Sequence, residues 1–182
     1  MDKNQFDSLF STTGITNVIQ RPEELWILVQ AIQAISAKRM LEIGTANGGT
    51  LKFFEQVAGS GGRIITVDSA GRSFESVPVD FSNPLCDIQF IQGFSQAPET
   101  IEKVMQAVGD EPLDFLFIDG SHEYEVVKAD FDNYHGLVRP GGIIGFHDVN
   151  CPSVQRAWNE VNIPHQSKVH HDLGLGTGII KL

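Results

Sequence analysis

Basic side chains are scarce in this 182-residue chain: 13 lysines and arginines stand against 23 aspartates and glutamates, a formal net charge of −10. Recognition of a nucleic-acid backbone or an anionic membrane rests on clustered positive charge, so neither partner is expected. The two cysteines, Cys86 and Cys151, make no disulfide framework and suit a reducing compartment. Met1 to Phe10 lacks the apolar core of a secretion signal and carries Asp2 and Asp7. Apolar runs are short, as from Phe115 to Ile118, far below the ~20 residues that a membrane-spanning helix needs. No repeat, low-complexity tract or linker divides the chain. The expectation is one cytoplasmic domain over residues 1–182.

What is present is an alternation of short apolar runs with helical patterns, the signature of βαβ units around a mostly parallel sheet. Pro22 opens a helix to about Ser36, with Glu23 and Glu24 at the positive end of its dipole and Leu25, Leu28, Val29, Ile32 and Ile35 on one face. Strands are predicted at Met40 to Ile43, Ile64 to Val67, Ile88 to Ile91, Leu113 to Ile118 and Gly142 to Phe146. Helical faces follow at Ile101, Val104, Met105 and Val108, at Tyr124, Val127, Phe131 and Tyr134, and at Val154, Ala157, Trp158 and Val161. Ser69 to Asp87, with Pro78 and Pro84, reads as irregular. Ile163 to Leu182 reads as two strands around a turn at Gly174 to Gly178, a hairpin added to the edge of the sheet. The fold class is α/β: a doubly wound, mostly parallel seven-stranded sheet with a C-terminal antiparallel hairpin.

Ligands in such sheets bind at the carboxyl ends of the strands. The first strand ends in Glu42-Ile43-Gly44-Thr45-Ala46-Asn47-Gly48-Gly49, where glycines let the backbone turn and approach a ligand ahead of a helix. The spacing is not that of a dinucleotide pyrophosphate loop, and no P-loop lysine follows. A tight turn without a ligand is the alternative. The second strand ends in Asp68-Ser69, where a carboxylate about 20 residues past the glycines suits ribose hydroxyls; a solvated loop carboxylate is the other reading. The third ends in Gly93-Phe94-Ser95-Gln96, a mixture fit to surround a flat heterocycle, with Phe94 as core and Ser95 as helix cap the alternatives.

The fourth strand ends in Asp119-Gly120-Ser121-His122 and the fifth in His147-Asp148. With those strands adjacent, Asp119, His147 and Asp148 converge on a space for a divalent cation, provided that the fifth strand has ended before His147. Taken singly, Asp119 binds only the ligand, His147 is a core histidine and Asp148 caps a helix. His165, His170 and His171 read as surface strand residues, and Cys151 has no partner that would make it a nucleophile.

Together these motifs, with the Arg139-Pro140-Gly141-Gly142 turn, resemble a class I S-adenosylmethionine-dependent methyltransferase over about Lys38 to Trp158. Within it the chain is most similar to metal-dependent catechol-type and tailoring small-molecule O-methyltransferases. The resemblance implies a Rossmann-like sheet and S-adenosyl-L-methionine as donor. It places Glu42 and the Gly44–Gly48 loop, with Thr45, Ala46 and Asn47, at the methionine part. Asp68 and Ser69 fall at the ribose, and Gly93, Phe94, Ser95 and Gln96 at the adenine. Asp119 serves both the donor and the metal. His147 stands where catechol-type relatives carry Asp and tailoring relatives Glu, so the ion is magnesium or a transition metal. His122 occupies the position of the catalytic lysine and suits a general base.

The expected reaction is methyl transfer to an oxygen of a small-molecule acceptor, with no nucleic-acid or membrane partner and a homo-oligomer admissible. Two rival expectations are a non-catalytic S-adenosylmethionine-binding domain and a nicotinamide-dependent oxidoreductase.

Overall fold

The computed structural model describes residues 1–14, 18, 20–71, 73, 75–161 and 167–182. Helix α1 (Lys3–Leu9) is capped by Asp2 and passes into one π-helical turn, Phe10–Gly14. There follow α2 (Pro22–Ala34), β1 (Arg39–Ile43), α3 (Gly49–Ala58), β2 (Arg63–Asp68), β3 (Asp87–Gln92), α4 (Pro98–Val108), β4 (Leu113–Ile118), α5 (Tyr124–Tyr134), a 3-10 turn at His135–Leu137, β5 (Val138–Phe146), α6 (Pro152–Glu160), β6 (Ser167–His171) and β7 (Thr177–Lys181). The seven strands run in the order β3-β2-β1-β4-β5-β7-β6. β1 to β5 pair in parallel, and β7 pairs antiparallel with both β5 and β6. Five parallel strands with a terminal hairpin are thus observed as the alternation predicts.

Residues along the central strands alternate between the two faces, so a continuous apolar run fills both layers. Leu41, Ile43, Leu116 and Ile118 pack with Val104 of α4, Phe131 of α5 and Trp158 of α6. Met40, Phe115 and Phe117 face the other way, against Leu28 and Ile32 of α2 and Phe54 of α3. Phe54 meets Phe115 and Phe117 edge-on, ring centroids 5.2 and 5.5 Å apart. Each such buried ring stabilises the fold by roughly 1.5–3 kcal/mol. Phe6 anchors α1 against Leu25, Val29 and Phe53.

Several boundaries differ from expectation. α2 stops at Ala34, and Ser36 turns left-handed (φ 52°), which ends the predicted helix early. β5 begins at Val138 rather than Gly142, because a register shift between Leu113 and Phe115 lets the Pro140-Gly141 stretch stay in the strand. Gly178 lies in β7, not in the turn, and a Cβ there would stand 2.6 Å from the Trp158 ring. Met105 is exposed; Thr100 takes its place on the buried face of α4. The expected irregular stretch after β2 contributes Val77, Val79 and Phe81 to the core over α3. His165 lies outside the described residues; His170 and His171 sit on β6 as expected.

The order reverses between β1 and β4, each flanked by a crossover to the opposite side, and that is where a crevice opens at the strand ends. The ladder continues just past the strands there. Gly44 N donates to Val67 O (2.8 Å), Asp119 N to Ile43 O (2.9 Å), His147 N to Ile118 O (3.1 Å) and Gly93 N to Asp68 O (3.1 Å). One row of main-chain hydrogen bonds therefore holds all the tip residues in register.

Candidate active site

Two neighbouring cavities lie along this row. One, about 320 Å³, is lined by Ile43, Gly44, Val67, Asp68, Ser69, Gly93, Phe94, Ser95, Gln96 and Gly120, with Ser121, Glu123 and Val126 opposite. The other, about 260 Å³, is lined by Gln20, Thr45, Ala46, Thr50, Asp119, His122, His147, Asp148 and Leu175. Gly44, Asp68 and Gly120 belong to both walls. The two cavities therefore adjoin, as one trough, across the ends of β1 and β4.

The first cavity holds the expected ribose and heterocycle residues. Asp68 accepts from Ala46 N (2.9 Å, Oδ2) and Ala70 N (2.7 Å, Oδ1), so both oxygens are oriented by backbone donors at its mouth. Gly93 has φ 155°, and a Cβ would press on Thr100, 3.2 Å from its own Cβ. Phe94 is 66% exposed, which excludes a core role and leaves its ring as a rim. Ser95 does not cap α4, whose N-cap is Ala97; its carbonyl accepts from the Tyr134 hydroxyl at 2.5 Å.

The glycine loop is built as expected: Ala46 and Gly48 both adopt positive φ, 44° and 79°, and Gly48 is the N-cap of α3. Glu42, Asn47 and Gly48 lie behind the walls rather than on them. Glu42 reaches the loop through hydroxyls: Thr66 Oγ1 donates to Glu42 Oε2 (2.7 Å), and Thr45 Oγ1 lies 2.6 Å from Thr66 Oγ1. Burial pushes the Glu42 carboxyl far above its ordinary range, opposed by the Thr66 bond.

At the far end the acidic convergence is present. Asp119, His147 and Asp148 each offer a ligand atom within 4.8 Å of the others. β5 ends at Phe146, and Asp148 takes the left-handed region (φ 59°), which turns its side chain to the same side as His147. Strained backbone of this kind persists where surrounding structure holds it, commonly at functional sites. His147 Nδ1 lies 3.2 Å from Asp119 Oδ1 and 3.1 Å from Asp148 Oδ2.

Burial pushes the imidazole down, but hydrogen bonds to the two carboxylates outweigh it and raise His147 to about 10. Burial lifts Asp119 despite His147. For Asp148, burial is overcome by His147 and His122, and its carboxyl stays below the usual range. His122, largely exposed, places Nε2 2.7 Å from Asp148 Oδ2, while Asp148 Oδ1 is buried without a hydrogen-bond partner among the described residues. A buried carboxylate oxygen left open in a polar cavity, beside a second carboxylate and an imidazole, is a donor set that fits a divalent cation.

Two residues of this cavity, Gln20 and Leu175, and one behind it, Glu24, escaped the sequence reading. Gln20 donates to Asp119 Oδ2 and accepts from Thr50 Oγ1 (2.6 Å), bridging the first turn of α3 to the tip of β4. Glu24, read only as a dipole-favouring acid, is buried beside His147. Leu175 comes from the hairpin turn. No local pattern marks them, because each is brought in from an element remote in sequence.

Residues 41–149 match the model of a protein family described as a methyltransferase domain. Uncharacterized protein R132 of Acanthamoeba polyphaga mimivirus is 28% identical over 140 residues, 75% of this chain and 61% of that protein. The chain spans less than two thirds of the curated relatives it matches, and only 18% of another, uncharacterized protein y4gI of Sinorhizobium fredii. Among solved structures, the O-methyltransferase from Bacillus cereus in complex with SAH superposes with a TM-score of 0.73 at 18% identity, covering 100% of this chain and 92% of that one. MycE methyltransferase from the mycinamycin biosynthetic pathway, in complex with Mg and SAH, gives 0.68 at 18% identity over 97% of this chain and 54% of that one.

Proposed function

The chain belongs to this methyltransferase-domain family, and from that premise we propose that it transfers a methyl group from S-adenosyl-L-methionine to an oxygen of a small molecule, aided by a divalent cation. The observation that carries the reading is the shared wall of the trough. Gly44, Asp68 and Gly120 border both cavities, so a ligand whose nucleoside end lies by Asp68 and Phe94 can reach Asp119 with its other end. The solved neighbours with SAH, and one with Mg, support the same assignment.

The roles follow from position. Asp68, with both oxygens oriented, offers its remaining lone pairs to vicinal ribose hydroxyls. Val67, Val126 and the rim ring of Phe94 enclose a flat base, while Gly93 lets the chain pass close beside it. The glycine loop presents Thr45 and Ala46 to the amino-acid part. Methyl transfer from a sulfonium needs an in-line, deprotonated oxygen, and holding the two reactants in line contributes on the order of 7–11 kcal/mol.

Asp119, His147 and Asp148 would hold the cation, whose chemistry is to lower the acceptor hydroxyl's pKa and fix its position. Asp148 Oδ2 accepts a hydrogen bond from His122 Nε2–H, which leaves Nδ1 of that ring as the acceptor for a substrate proton at the open mouth of the cavity. General-base help of this sort is worth roughly 10²–10⁴ in rate. Leu175 and Gln20 border the acceptor side, one apolar and one amide.

The test is incubation with radiolabelled S-adenosylmethionine and a panel of catechol, sugar and amine acceptors, with calorimetry of donor binding alongside. Label appearing on an oxygen supports the proposal. Donor binding without transfer to any acceptor leaves a binding domain in its place, and absence of donor binding removes both.

A further inference from the structure

His147 is buried, 3% exposed, and its two nitrogens face different neighbours. Nδ1 looks toward Asp119 and Asp148, at 3.2 and 3.1 Å. Nε2 is buried, has no hydrogen-bond partner among the described residues, and lies 3.7 Å from Glu24 Oε2. Glu24 is itself buried, 1% exposed, and cannot swing away. Its Oε2 accepts from Arg21 N (2.9 Å) at the start of α2, and its Oε1 from Gly176 N (2.9 Å) in the β6-β7 turn. Three carboxylates therefore surround one imidazole. Among the described residues no lysine or arginine pairs with any of them. Buried charge of this density is sustained by pairing or by a metal ion, and Asp148 Oδ1 is left open in the cavity.

We propose that Glu24 is the outer carboxylate of this metal site: its charge, 3.7 Å from Nε2 of His147, holds the proton on that nitrogen, leaves Nδ1 as the ligand, and thereby favours an imidazole-binding transition ion over magnesium. The inference rests on the proposed cation site and adds to it a positioning residue and a class of metal. Magnesium prefers a shell made wholly of oxygen, whereas one imidazole with two carboxylates suits manganese, iron, cobalt or zinc. A ligating histidine almost always donates its other N–H to a carboxylate, carbonyl or water, and loss of that partner weakens metal binding by about 10–100-fold. Glu24 is the carboxylate that faces Nε2, 3.7 Å away, and its two backbone donors hold it there. The third residue of α2 thus ties the helix start, the hairpin turn and the metal ligand together.

The full chain, stripped of metal with chelator, is titrated with Co²⁺ and Mg²⁺ by calorimetry and by visible absorption of cobalt. The expected result is one Co²⁺ per chain, bound at least tenfold more tightly than Mg²⁺. Glu24→Gln should weaken Co²⁺ by about 10–100-fold. His147→Asp, which makes the shell all oxygen, should reverse the preference. Since Glu24 also holds the hairpin turn, Asn150→Ala is the control: Asn150 Nδ2 donates to Gly174 O (3.1 Å) and Asp172 Oδ1 (2.9 Å) in the same turn. It should leave Co²⁺ affinity within about threefold. In the Zn²⁺-loaded, ¹⁵N-labelled protein, His147 should show a metal-bound Nδ1 and a protonated Nε2.

Magnesium binding as tightly as cobalt would overturn the proposal. So would an unchanged Co²⁺ affinity in Glu24→Gln, an equal loss in Asn150→Ala, or metal on Nε2. Donor binding is read separately: if it persists while these results fail, only this inference falls, and if donor binding is absent, the methyltransferase reading falls with it.

Discussion

Gly44, at the tip of β1, packs against the main chain of Asp119 at the tip of β4, so closely that a Cβ would overlap the Asp119 carbonyl and stand 2.7 Å from its carbon. The atoms in the way are backbone and cannot rotate aside, and Gly44 also has φ 100°. Gly44→Ala should therefore part the two strands whose separation shapes the trough. We expect a loss of at least ~2 kcal/mol from strain and overlap together, read by urea denaturation, with donor binding falling in parallel. Gly61→Ala is the comparison: φ is also positive, at 76°, but beyond its chain neighbours no atom of the described residues lies within 4 Å of a Cβ there. It should bring backbone strain alone and leave donor affinity unchanged.

Asp68→Ala should weaken S-adenosylmethionine by about 100-fold or more, since two hydrogen bonds to a charged group are worth about 1.5–3 kcal/mol each. Asp68→Asn, which keeps an acceptor of the same shape, should recover part of that. Calorimetry measures both, and circular dichroism checks the fold. An unchanged Kd in the alanine variant would remove the ribose assignment.

His122→Gln should lower kcat by roughly 10²–10⁴ while leaving donor Kd and the melting temperature alone, because the ring is exposed on the rim and supports no core contact. A proportional rise in KM with kcat intact would recast His122 as an acceptor-binding residue.

Asp130 lies in α5, wholly buried, and burial raises its carboxyl to about 6 against the pull of Ser95. Near it the Tyr134 hydroxyl is raised by its own burial and by Asp130. A carboxyl whose folded pKa exceeds its unfolded one favours the fold while protonated. That stability is complete below about pH 4 and is lost as pH rises through about 6. At 1.36 kcal/mol per pK unit, the loss is about 3 kcal/mol. Asp130→Asn does not titrate, so its stability relative to the parent should rise by that order between pH 4 and pH 8. Urea denaturation at the two pH values checks it; a difference independent of pH would show that Asp130 is neutralised by some other contact.

Much of this was legible in the chain because the signals are local. β4 and its tip, Leu113 to Ile118 then Asp119, could be read from an unbroken apolar run ended by a carboxylate, since a strand buried on both faces has no polar alternation to obscure it. Asp148 facing the same side as His147 required only that β5 end at Phe146, and a left-handed residue supplied the turn. Met105 misled because helical spacing alone does not say how wide the buried stripe is, and Thr100 packs in its place. The start of β5 misled because Pro140-Gly141 reads as a turn, while a register shift beside β4 accommodates it in the strand.

By itself, the order of apolar runs, glycines and strand-end carboxylates determined the sheet, its terminal hairpin and the row of tip residues. These depend on periodicity and on contacts between a residue and its near neighbours in the chain. Only the tertiary structure decided that Gln20 would hold Asp119, that Glu24 would stand behind His147, and that Leu175 would line the cavity they border. The first two pairings span about a hundred and more than a hundred and twenty residues of sequence. They exist because α2 and the hairpin both pack around β5, and no local spacing records which side chains such packing brings together.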